Sequence, residues 1–350
     1  MKPTALPSLR VAAALLALTP CALSQATQSG STLNVLGTPS EDVITIVFDV
    51  TPGDARVFGV SGTPDGTLFT GVTKLVASTL ASTDIVNVQI LSAMPPELDL
   101  NTGDGDSQVL VDIQTPSGLM PTYSKAVVRG GAQKDSVVFQ LTDNALGGTY
   151  DYAVFGGEGE NDAQVKFTSD VLGGVTTLNW RYFGGALTDK VLLDLVTKAD
   201  EVIVNALGLT GAGGDEWFIK AAGDVNTTAR IQTAARLGAG GDSALVDTSN
   251  TGNAIVRGGL DGGDGDDVLE VITSSSMQAS PLLLGGAGND VLLINIGQNL
   301  LAGSNPRNLA GEGNDTVSML VGAAVLGSPF SDGGPGNDSF TGVGTAVHFE

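Results

Sequence analysis

Short apolar runs alternate with glycine-rich polar turns along most of the chain. Runs such as SVVFQL from Ser136, KVLLDL from Lys190 and VLLINI from Val291 alternate with a period of two and are rich in Val, Ile and Leu. This period and composition favour β-strands over helices. We therefore expect an all-β chain.

The glycine turns recur at a nearly constant interval. Aligned on the last polar residue of each turn, the repeats end at Ser107, Asp135, Asp162, Asp189, Asp215, Asp242, Asp267, Asp290, Asp315 and Asp338. Each repeat contains a strand, a variable polar stretch, a second strand and a glycine turn. Coils of this kind stack with like strands about 4.8 Å apart. The pattern predicts a parallel β-solenoid with two strands per coil of about 23–28 residues.

Residues 27–101 are less regular than the rest of the chain. They read as an N-terminal cap with degenerate coils, in which Asp42 and Asp84 occupy the turn position. Residues 68–81 fit a capping helix, because an exposed solenoid end needs a cover. The regular solenoid is expected over residues 102–350.

The first 26 residues, 1–26, have the pattern of a signal peptide. A positively charged start precedes the short apolar segment Val11–Leu18, and small residues follow at Ser24–Ala26. The segment is shorter than the roughly 20 residues that span a bilayer. Cys21, the only cysteine, is expected to leave with the signal, and a lipoprotein anchor there is disfavoured. The sequence thus predicts an exported protein without disulfides, in the medium, at the cell surface or in the periplasm.

The charge balance limits the partners that the protein can have. The chain carries 38 acidic and 16 basic residues, a net charge of −22, and loss of Lys2 and Arg10 with the signal would make it more negative. Nucleic acid and anionic membrane surfaces both attract basic faces, so neither is expected as a partner. No later segment is apolar enough for a membrane helix. The acidic residues are concentrated in the glycine turns.

Four C-terminal turns share one motif. They read GGDGDDVLE (262–270), GGAGNDVLL (285–293), AGEGNDTVS (310–318) and GGPGNDSFT (333–341). These segments resemble the calcium-binding nonapeptide G-G-x-G-x-D-x-U-x of the RTX family, where U is a large apolar residue. The resemblance covers residues 261–341, and its U positions are Leu269, Leu292, Val317 and Phe340.

The resemblance implies that Ca²⁺ is bound between the turns of neighbouring coils. Ca²⁺ prefers six to eight oxygen ligands, and glycines let backbone carbonyls turn inward. Carboxylates stacked about 4.8 Å apart would repel by roughly 3 kcal/mol per pair, which a divalent cation would reverse. The alternative is that these segments are ordinary tight turns that bind no metal. The expected metal-site residues are Gly262, Gly263, Asp264, Gly265, Asp266, Asp267, Gly285, Gly286, Gly288, Asn289, Asp290, Gly311, Glu312, Gly313, Asn314, Asp315, Gly333, Gly334, Gly336, Asn337 and Asp338.

The motif is weaker upstream. The turns at 130–135 and 184–189 lose the central glycine, so we expect them to serve as scaffold. The turns at 102–107, 211–215 and 238–242 keep glycine and acid in what reads as a shifted frame. The chain also departs from the RTX family because the motif lies on one edge only and the export signal is N-terminal.

No catalytic motif stands out in the chain. The single histidine, His348, lies near the end, and no nucleophile-elbow, zincin or P-loop pattern is present. A glycan-active enzyme, either a polysaccharide lyase or a glycosidase, is the alternative, because paired carboxylates on a β-helix groove could support it. Its candidate residues are Asp194, Lys198, Asp200, Glu201, Arg181 and Tyr182, with Trp180 and Trp217 as either sugar platforms or core residues.

The preferred reading is a secreted or cell-surface calcium-binding β-solenoid with a structural, adhesion or matrix role. Calcium would rigidify the fold outside the cell. Cell-surface or matrix glycans or proteins are the further partners considered, and the sequence does not indicate an oligomeric state.

Overall fold

Every regular element that the structure describes is a β-strand. The computed structural model describes residues 24–115, 122–143, 147–169, 174–198, 201–223, 226–273, 278 and 280–349. The first fourteen strands are β1 (Gln25–Ser29), β2 (Thr32–Leu36), β3 (Val43–Phe48), β4 (Ala55–Phe58), β5 (Thr67–Phe69), β6 (Lys74–Ser78), β7 (Ile85–Ile90), β8 (Glu97–Asn101), β9 (Ser107–Gln114), β10 (Thr122–Arg129), β11 (Asp135–Asp143), β12 (Gly147–Phe155), β13 (Asn161–Ser169) and β14 (Val175–Phe183). The remaining strands are β15 (Asp189–Thr197), β16 (Glu201–Ala212), β17 (Glu216–Gly223), β18 (Thr228–Ala239), β19 (Ser243–Asn250), β20 (Asn253–Asp264), β21 (Val268–Thr273), β22 (Ser280–Ala287), β23 (Val291–Ile296), β24 (Arg307–Glu312), β25 (Thr316–Val321), β26 (Phe330–Asp332), β27 (Ser339–Gly342) and β28 (Thr345–Val347).

The strands form two 14-stranded sheets that face each other across one core. The first sheet has the order β1-β2-β6-β8-β10-β12-β14-β16-β18-β20-β22-β24-β26-β28, and the second has the order β27-β25-β23-β21-β19-β17-β15-β13-β11-β9-β7-β3-β4-β5. Successive coils therefore add one strand to each sheet. From β6 onward every pairing is parallel, so the predicted parallel β-solenoid with two strands per coil is confirmed.

The alternating sequence pattern places one side of every strand in the core. In β23 the side chains of Leu292, Ile294 and Ile296 are fully buried, whereas Val291 is exposed. The same alternation holds in the neighbouring coils, so apolar side chains stack on their counterparts along the solenoid axis. Burial of this continuous apolar column is the main stabilising contribution to the fold.

Aromatic side chains fill the core of the middle coils. Trp180 and Trp217 are both fully buried. The ring of Phe139 stacks on Tyr152 with centroids 4.4 Å apart and meets Trp180 edge-on at 6.0 Å. The two tryptophans are therefore core residues, and the alternative that they form sugar platforms is wrong.

The N-terminal region is less regular, as expected, but it contains no helix. Strand β1 pairs antiparallel with β2, and β3, β4 and β5 form an antiparallel meander at the edge of the second sheet. The expected capping helix at 68–81 is wrong, because β5 and β6 occupy half of this segment and none of it is helical. The alternation in β6 buries Leu75 and Ala77 against the core and continues the first sheet.

The N-terminal coils join the solenoid without a break. Strand β8 pairs in parallel with β10, and β7 pairs with β9. At the turn position, the backbone N–H of Asp42 donates to Oδ1 of Asp84 at 2.9 Å. At the other end of the chain, β28 pairs in parallel with β26 and completes the first sheet.

Residues 1–23 of the expected signal peptide lie outside the described residues. The last three residues of the expected signal belong to the fold, since Gln25 and Ala26 pair with Leu36 and Val35 in the β1–β2 hairpin. No helix in the described part of the chain could cross a membrane.

Gly208 makes room for an aromatic side chain, and a methyl group there should destabilise the middle coils. A Cβ on Gly208 would lie 2.4 Å from the ring of Trp217. We expect Gly208→Ala to lower the free energy of unfolding by about 1–3 kcal/mol, because the rigid ring must shift. Thermal unfolding measures the change. Gly259→Ala is the control, because its Cβ would meet only an oxygen at 3.6 Å; equal stability of both variants would contradict the packing argument.

Candidate metal centre

One edge of the solenoid is built from six-residue turns that stack on one another. Each turn leads from a strand of the first sheet into a strand of the second, and we number its residues one to six, as in the turn from Gly285 to Asp290. Equivalent positions lie in register along the edge, for example Gly238, Gly263, Gly286 and Gly311 at position two. The variable segments lie on the opposite edge.

The register corrects two sequence assignments. Strand β13 places Asn161, not Asp162, opposite Asp189 in the next coil, so the turn at 156–161 reads GGEGEN and has the glycine pattern of the motif. The turns at 102–107, 211–215 and 238–242 are not shifted, because their glycines lie in the common frame. An alignment on the glycines instead of the acids would have found the turn ending at Asn161.

Positions two and four require glycine because the turn backbones stack in direct contact. Gly263 and Gly265 have φ angles of 108° and 132°, a region that side chains disfavour. A Cβ on Gly263 would lie 1.9 Å from the carbonyl oxygen of Gly238, and one on Gly265 would lie 1.7 Å from that of Gly240. The close stacking of the coils alone therefore explains these two glycines.

The sixth positions form a buried ladder of acidic side chains. In each step the backbone N–H of one residue donates to Oδ1 of its counterpart in the next coil. The distances are 2.8 Å from Asp242 to Asp267, 2.9 Å from Asp267 to Asp290 and 2.8 Å from both Asp290 to Asp315 and Asp315 to Asp338. These side chains are almost completely buried. The ladder links every coil of the C-terminal half to the next.

The second carboxylate oxygen of this ladder has no hydrogen-bond donor. Among the described sixth-position residues, Oδ2 is buried and unpartnered in Asp215, Asp242, Asp267, Asp290, Asp315 and Asp338. An unpartnered buried polar atom costs about 1–3 kcal/mol, and more when it carries charge. Each oxygen therefore needs either a proton or a cation.

The turn at 156–161 indicates where this missing partner would lie. Asn161 accepts the N–H of Asp135 at its Oδ1, as the aspartates do. Its Nδ2 occupies the place of Oδ2 and donates to the carbonyl oxygen of Gly159, at position four, at 2.8 Å. In an aspartate turn the same geometry brings two oxygens together with no hydrogen between them.

The position-four carbonyls are available as ligands. No backbone N–H of the described residues donates to the carbonyl oxygens of Gly240, Gly265, Gly288 or Gly313 outside regular strand pairing. The carbonyls at position three already accept hydrogen bonds, for example from Gly265 N–H to Ala287 at 2.6 Å. The aspartate Oδ2 and the position-four carbonyl of each such turn are oxygens, which are the donors that Ca²⁺ accepts.

Turns without a central glycine satisfy their aspartates differently. At 130–135 the N–H of Gly131 donates to Oδ2 of Asp135 at 3.0 Å, and at 184–189 the N–H of Gly185 donates to Oδ2 of Asp189 at 3.2 Å. Position two has positive φ in the C-terminal turns but not in these two. A positive φ at position two therefore goes with an Oδ2 that lacks a donor. In the two turns without it, a backbone N–H donates to Oδ2.

Burial makes three aspartates of the ladder weaker acids than usual. Desolvation raises the pKa of Asp267 to about 7, and the pKa of Asp242 and Asp290 to about 6, from 3.8. The donated backbone N–H opposes this rise in each case. Neighbouring carboxylates of the ladder add to the rise at all three positions.

The other expected ligand side chains lie on the outside of the edge. Asp264, Asp266 and Glu312 are exposed. The fifth positions form a second ladder, in which Oδ1 of Asp266 accepts the N–H of Asn289 at 2.7 Å and Asn289 accepts the N–H of Asn314 at 3.0 Å. These side chains do not converge on the buried aspartates.

Side chains alone do not form a metal site. In the described parts of the chain, no group of three or more His, Cys, Asp or Glu side chains is placed to hold a metal ion. A cation at this edge would therefore need backbone carbonyls for most of its ligands. The U positions of the motif support the edge from inside, since Leu269, Leu292 and Val317 are fully buried.

The described candidate catalytic residues Asp194, Glu201, Trp180, Tyr182 and Arg181 do not form one cluster, and Lys198, directly after β15, is exposed. Asp194 lies on the second sheet, whereas Glu201 begins β16 on the first sheet and pairs with Arg230. Trp180 and Tyr182 are buried in the core, so neither joins Arg181 on the surface. Asp200 lies outside the described residues. His348 lies 2.7 Å from Asp332, and both are partly exposed.

Comparisons of the chain with protein-family models, with curated proteins and with solved structures find no match.

The ladder should make the metal-free protein less stable as the pH rises. Because the folded pKa values of about 6 to 7 exceed the unfolded value of 3.8, the folded state holds more protons between pH 4 and pH 7. We expect the urea midpoint in EDTA to fall as the pH rises through this window and to level off above about pH 8. A midpoint that rises over the same range would contradict the pKa assignment.

Proposed function

We propose that the protein is an exported β-solenoid whose C-terminal glycine turns bind Ca²⁺ and are rigidified by it. The observation that carries the proposal is the row of buried, unpartnered Oδ2 atoms from Asp242 to Asp338. A row of buried charges without counterions is unfavourable, and a divalent cation supplies the missing positive charge. At neutral pH outside a cell, Ca²⁺ is the abundant ion that favours such all-oxygen sites.

The donor set fits calcium better than other biological metals. The donors are carboxylate and carbonyl oxygens. Histidine and cysteine, which zinc and copper prefer as ligands, are not among them. Each ion would take Oδ2 of a sixth-position aspartate and carbonyls of the adjacent turns. The turns with this donor set end at Asp267, Asp290, Asp315 and Asp338 in the motif region, and the preceding turns that end at Asp215 and Asp242 share it.

The two upstream turns serve as scaffold in this proposal. Asp135 and Asp189 already accept a backbone N–H at Oδ2. A cation there would have to displace a hydrogen bond, so these coils gain less from calcium. The resemblance of residues 261–341 to the RTX nonapeptide supports the same division of the chain.

The biological role that follows is mechanical. Each bound ion would join consecutive coils, so the C-terminal half would stiffen where extracellular calcium is abundant. A rigid, elongated, acidic body suits a structural, adhesion or matrix protein. Because the candidate catalytic residues do not converge, we place the function in binding and scaffolding.

Calcium should raise the melting temperature of the protein. Far-UV circular dichroism would follow thermal unfolding in EDTA, in millimolar CaCl₂ and in millimolar MgCl₂ at one ionic strength. A site at a hundredfold excess of ligand over its dissociation constant stabilises by about 2.7 kcal/mol. Mg²⁺ should do much less, because it demands octahedral geometry and dehydrates reluctantly. Identical melting in all three buffers would refute calcium binding.

Asp290→Asn should remove a calcium ligand and keep the turn intact. Its amide can donate to the carbonyl of Gly288, as Asn161 donates to Gly159. We therefore expect higher stability than the wild type in EDTA at pH 8, by about 1–3 kcal/mol, together with a smaller gain on adding calcium. Melting curves in both buffers measure the two effects.

Asp135→Asn is the matched control. Both carboxylate oxygens of Asp135 accept hydrogen bonds, from Gly131 N–H and Thr102 Oγ1, so an amide loses one acceptor. This variant should be less stable in EDTA and should keep the full calcium gain. If Asp290→Asn also kept the full gain, the ladder would not be the calcium site.

A further inference from the structure

The arginines of this acidic protein are concentrated on one surface. Seven arginines follow residue 26, and one of them, Arg56, lies in the meander of the second sheet. The other six project from the outer face of the first sheet and are exposed: Arg129, Arg181, Arg230, Arg236, Arg257 and Arg307. On the strands of the second sheet from β9 to β25, all the cationic side chains are lysines. The first sheet thus has a distinct outer face.

Three of these arginines have no carboxylate partner among the described residues: the guanidinium of Arg307 lies over the ring of Phe330, and Arg181 and Arg257 are free. Arg230 pairs with Glu201, and Arg236 pairs with Asp261 at 3.1 Å. Arg181 and Arg257 make no ion pair with any described residue. They lie three coils apart on β14 and β20, a distance of about 14 Å along the axis. The positive charges of Arg181 and Arg257 are therefore not neutralised by a neighbouring carboxylate, on a protein of net charge −22.

A shallow groove runs between the two free arginines. Its main depression encloses about 610 Å³, and its lining includes Asp151 at one end together with Asn179, Arg181, Asn205, Leu207, Gln232 and Ala234. A smaller depression, lined by Asn205, Gln232 and Arg257, continues it toward the next coil. We call these residues together the arginine–amide groove. The small side chain of Ala234 and the glycine at Gly258 keep its floor open.

Polar side chains recur at the same position of the groove from coil to coil. Asp151, Asn179, Asn205, Gln232 and Arg257 occupy the same register position on successive strands. Asn205 Nδ2 donates to Asn179 Oδ1 at 2.8 Å, and Asn179 donates in turn to Asp151. This ladder orients the amides of Asn179 and Asn205, while the exposed side chain of Gln232 makes no hydrogen bond to its described neighbours in the ladder. Polar groups thus recur about every 4.8 Å along a straight track.

We propose that the arginine–amide groove binds an extended anionic polysaccharide, with Arg181 and Arg257 each contacting an acidic sugar. A guanidinium binds a carboxylate or sulfate through two parallel hydrogen bonds. Amide side chains both donate to and accept from hydroxyl groups, which are the remaining polar groups of a sugar. A straight track with a constant repeat fits a polymer with a constant repeat. The wide spacing of the free charges fits a chain of moderate charge density better than a nucleic acid.

This site is separate from the calcium edge. The groove lies on the face of the first sheet, and its free arginines are not part of any glycine turn. The proposal therefore stands or falls independently of metal binding by the aspartate ladder.

Isothermal titration calorimetry with the full chain tests the proposal. The probe is a set of oligogalacturonates too short to gel with calcium, at the same CaCl₂ concentration in cell and syringe. Fully methyl-esterified oligomers of the same length are the neutral comparison. We expect binding of the acidic oligomer, and a loss of at least about fivefold in affinity in Arg181→Gln/Arg257→Gln, the effect of losing two exposed charge contacts.

Two further variants make the result specific. Lys166→Gln/Lys220→Gln removes the same charge from the outer face of the second sheet, where both lysines are exposed, and should leave the affinity unchanged. Ala234→Trp should abolish binding by filling the groove, with an unchanged β spectrum because Ala234 is exposed. Equal binding of acidic and esterified oligomers, equal losses in the arginine and lysine variants, or no binding by the wild type would overturn the proposal. Loss of calcium stabilisation without loss of oligomer binding would leave it intact.

Discussion

In-register parallel stacking is the constraint on which the rest of this structure depends. Each residue of a coil has its counterpart from the next coil as its nearest neighbour, at about 4.8 Å. A residue type that occurs once per repeat at the same position therefore forms a continuous row along the solenoid. The apolar core residues, the turn glycines, the sixth-position aspartates and the amide side chains all form such rows. The favourable rows stabilise the fold together. The aspartate row is the exception, because stacking like charges out of water is unfavourable in the absence of a proton or a cation.

The sequence contained enough information for the architecture. Alternation in runs such as that from Val291 predicts strands, and the spacing of the glycine turns predicts one coil per repeat. Both signals are local and were confirmed. The capping helix at 68–81 was wrong because a short apolar stretch does not reveal which neighbours it will meet. Residues 74–78 form a strand because β6 pairs with β2 on one side and with β8 on the other.

The candidate site was less accessible to sequence reasoning. Aligning on acids chose Asp162 over Asn161, and so concealed the turn that carries a natural amide substitution. The difference between satisfied and unsatisfied Oδ2 atoms depends on the φ angle at position two, for example at Gly131 and Gly263. Two glycines at the same position look alike in sequence. The arginine face was also missed, because the variable segments differ in length and hide which residues share a row.

The antiparallel strands at the N-terminal end have a consequence for how the molecule meets its own copies. A parallel solenoid presents an open edge that another chain could extend. Here the first sheet begins with the hairpin strand β1, and the second begins with β5, which is only three residues long. Neither strand continues the two-strand coil, so a second copy stacked on this end would meet antiparallel strands in place of the next parallel layer. The stack therefore begins with a layer that differs from all the coils that follow it.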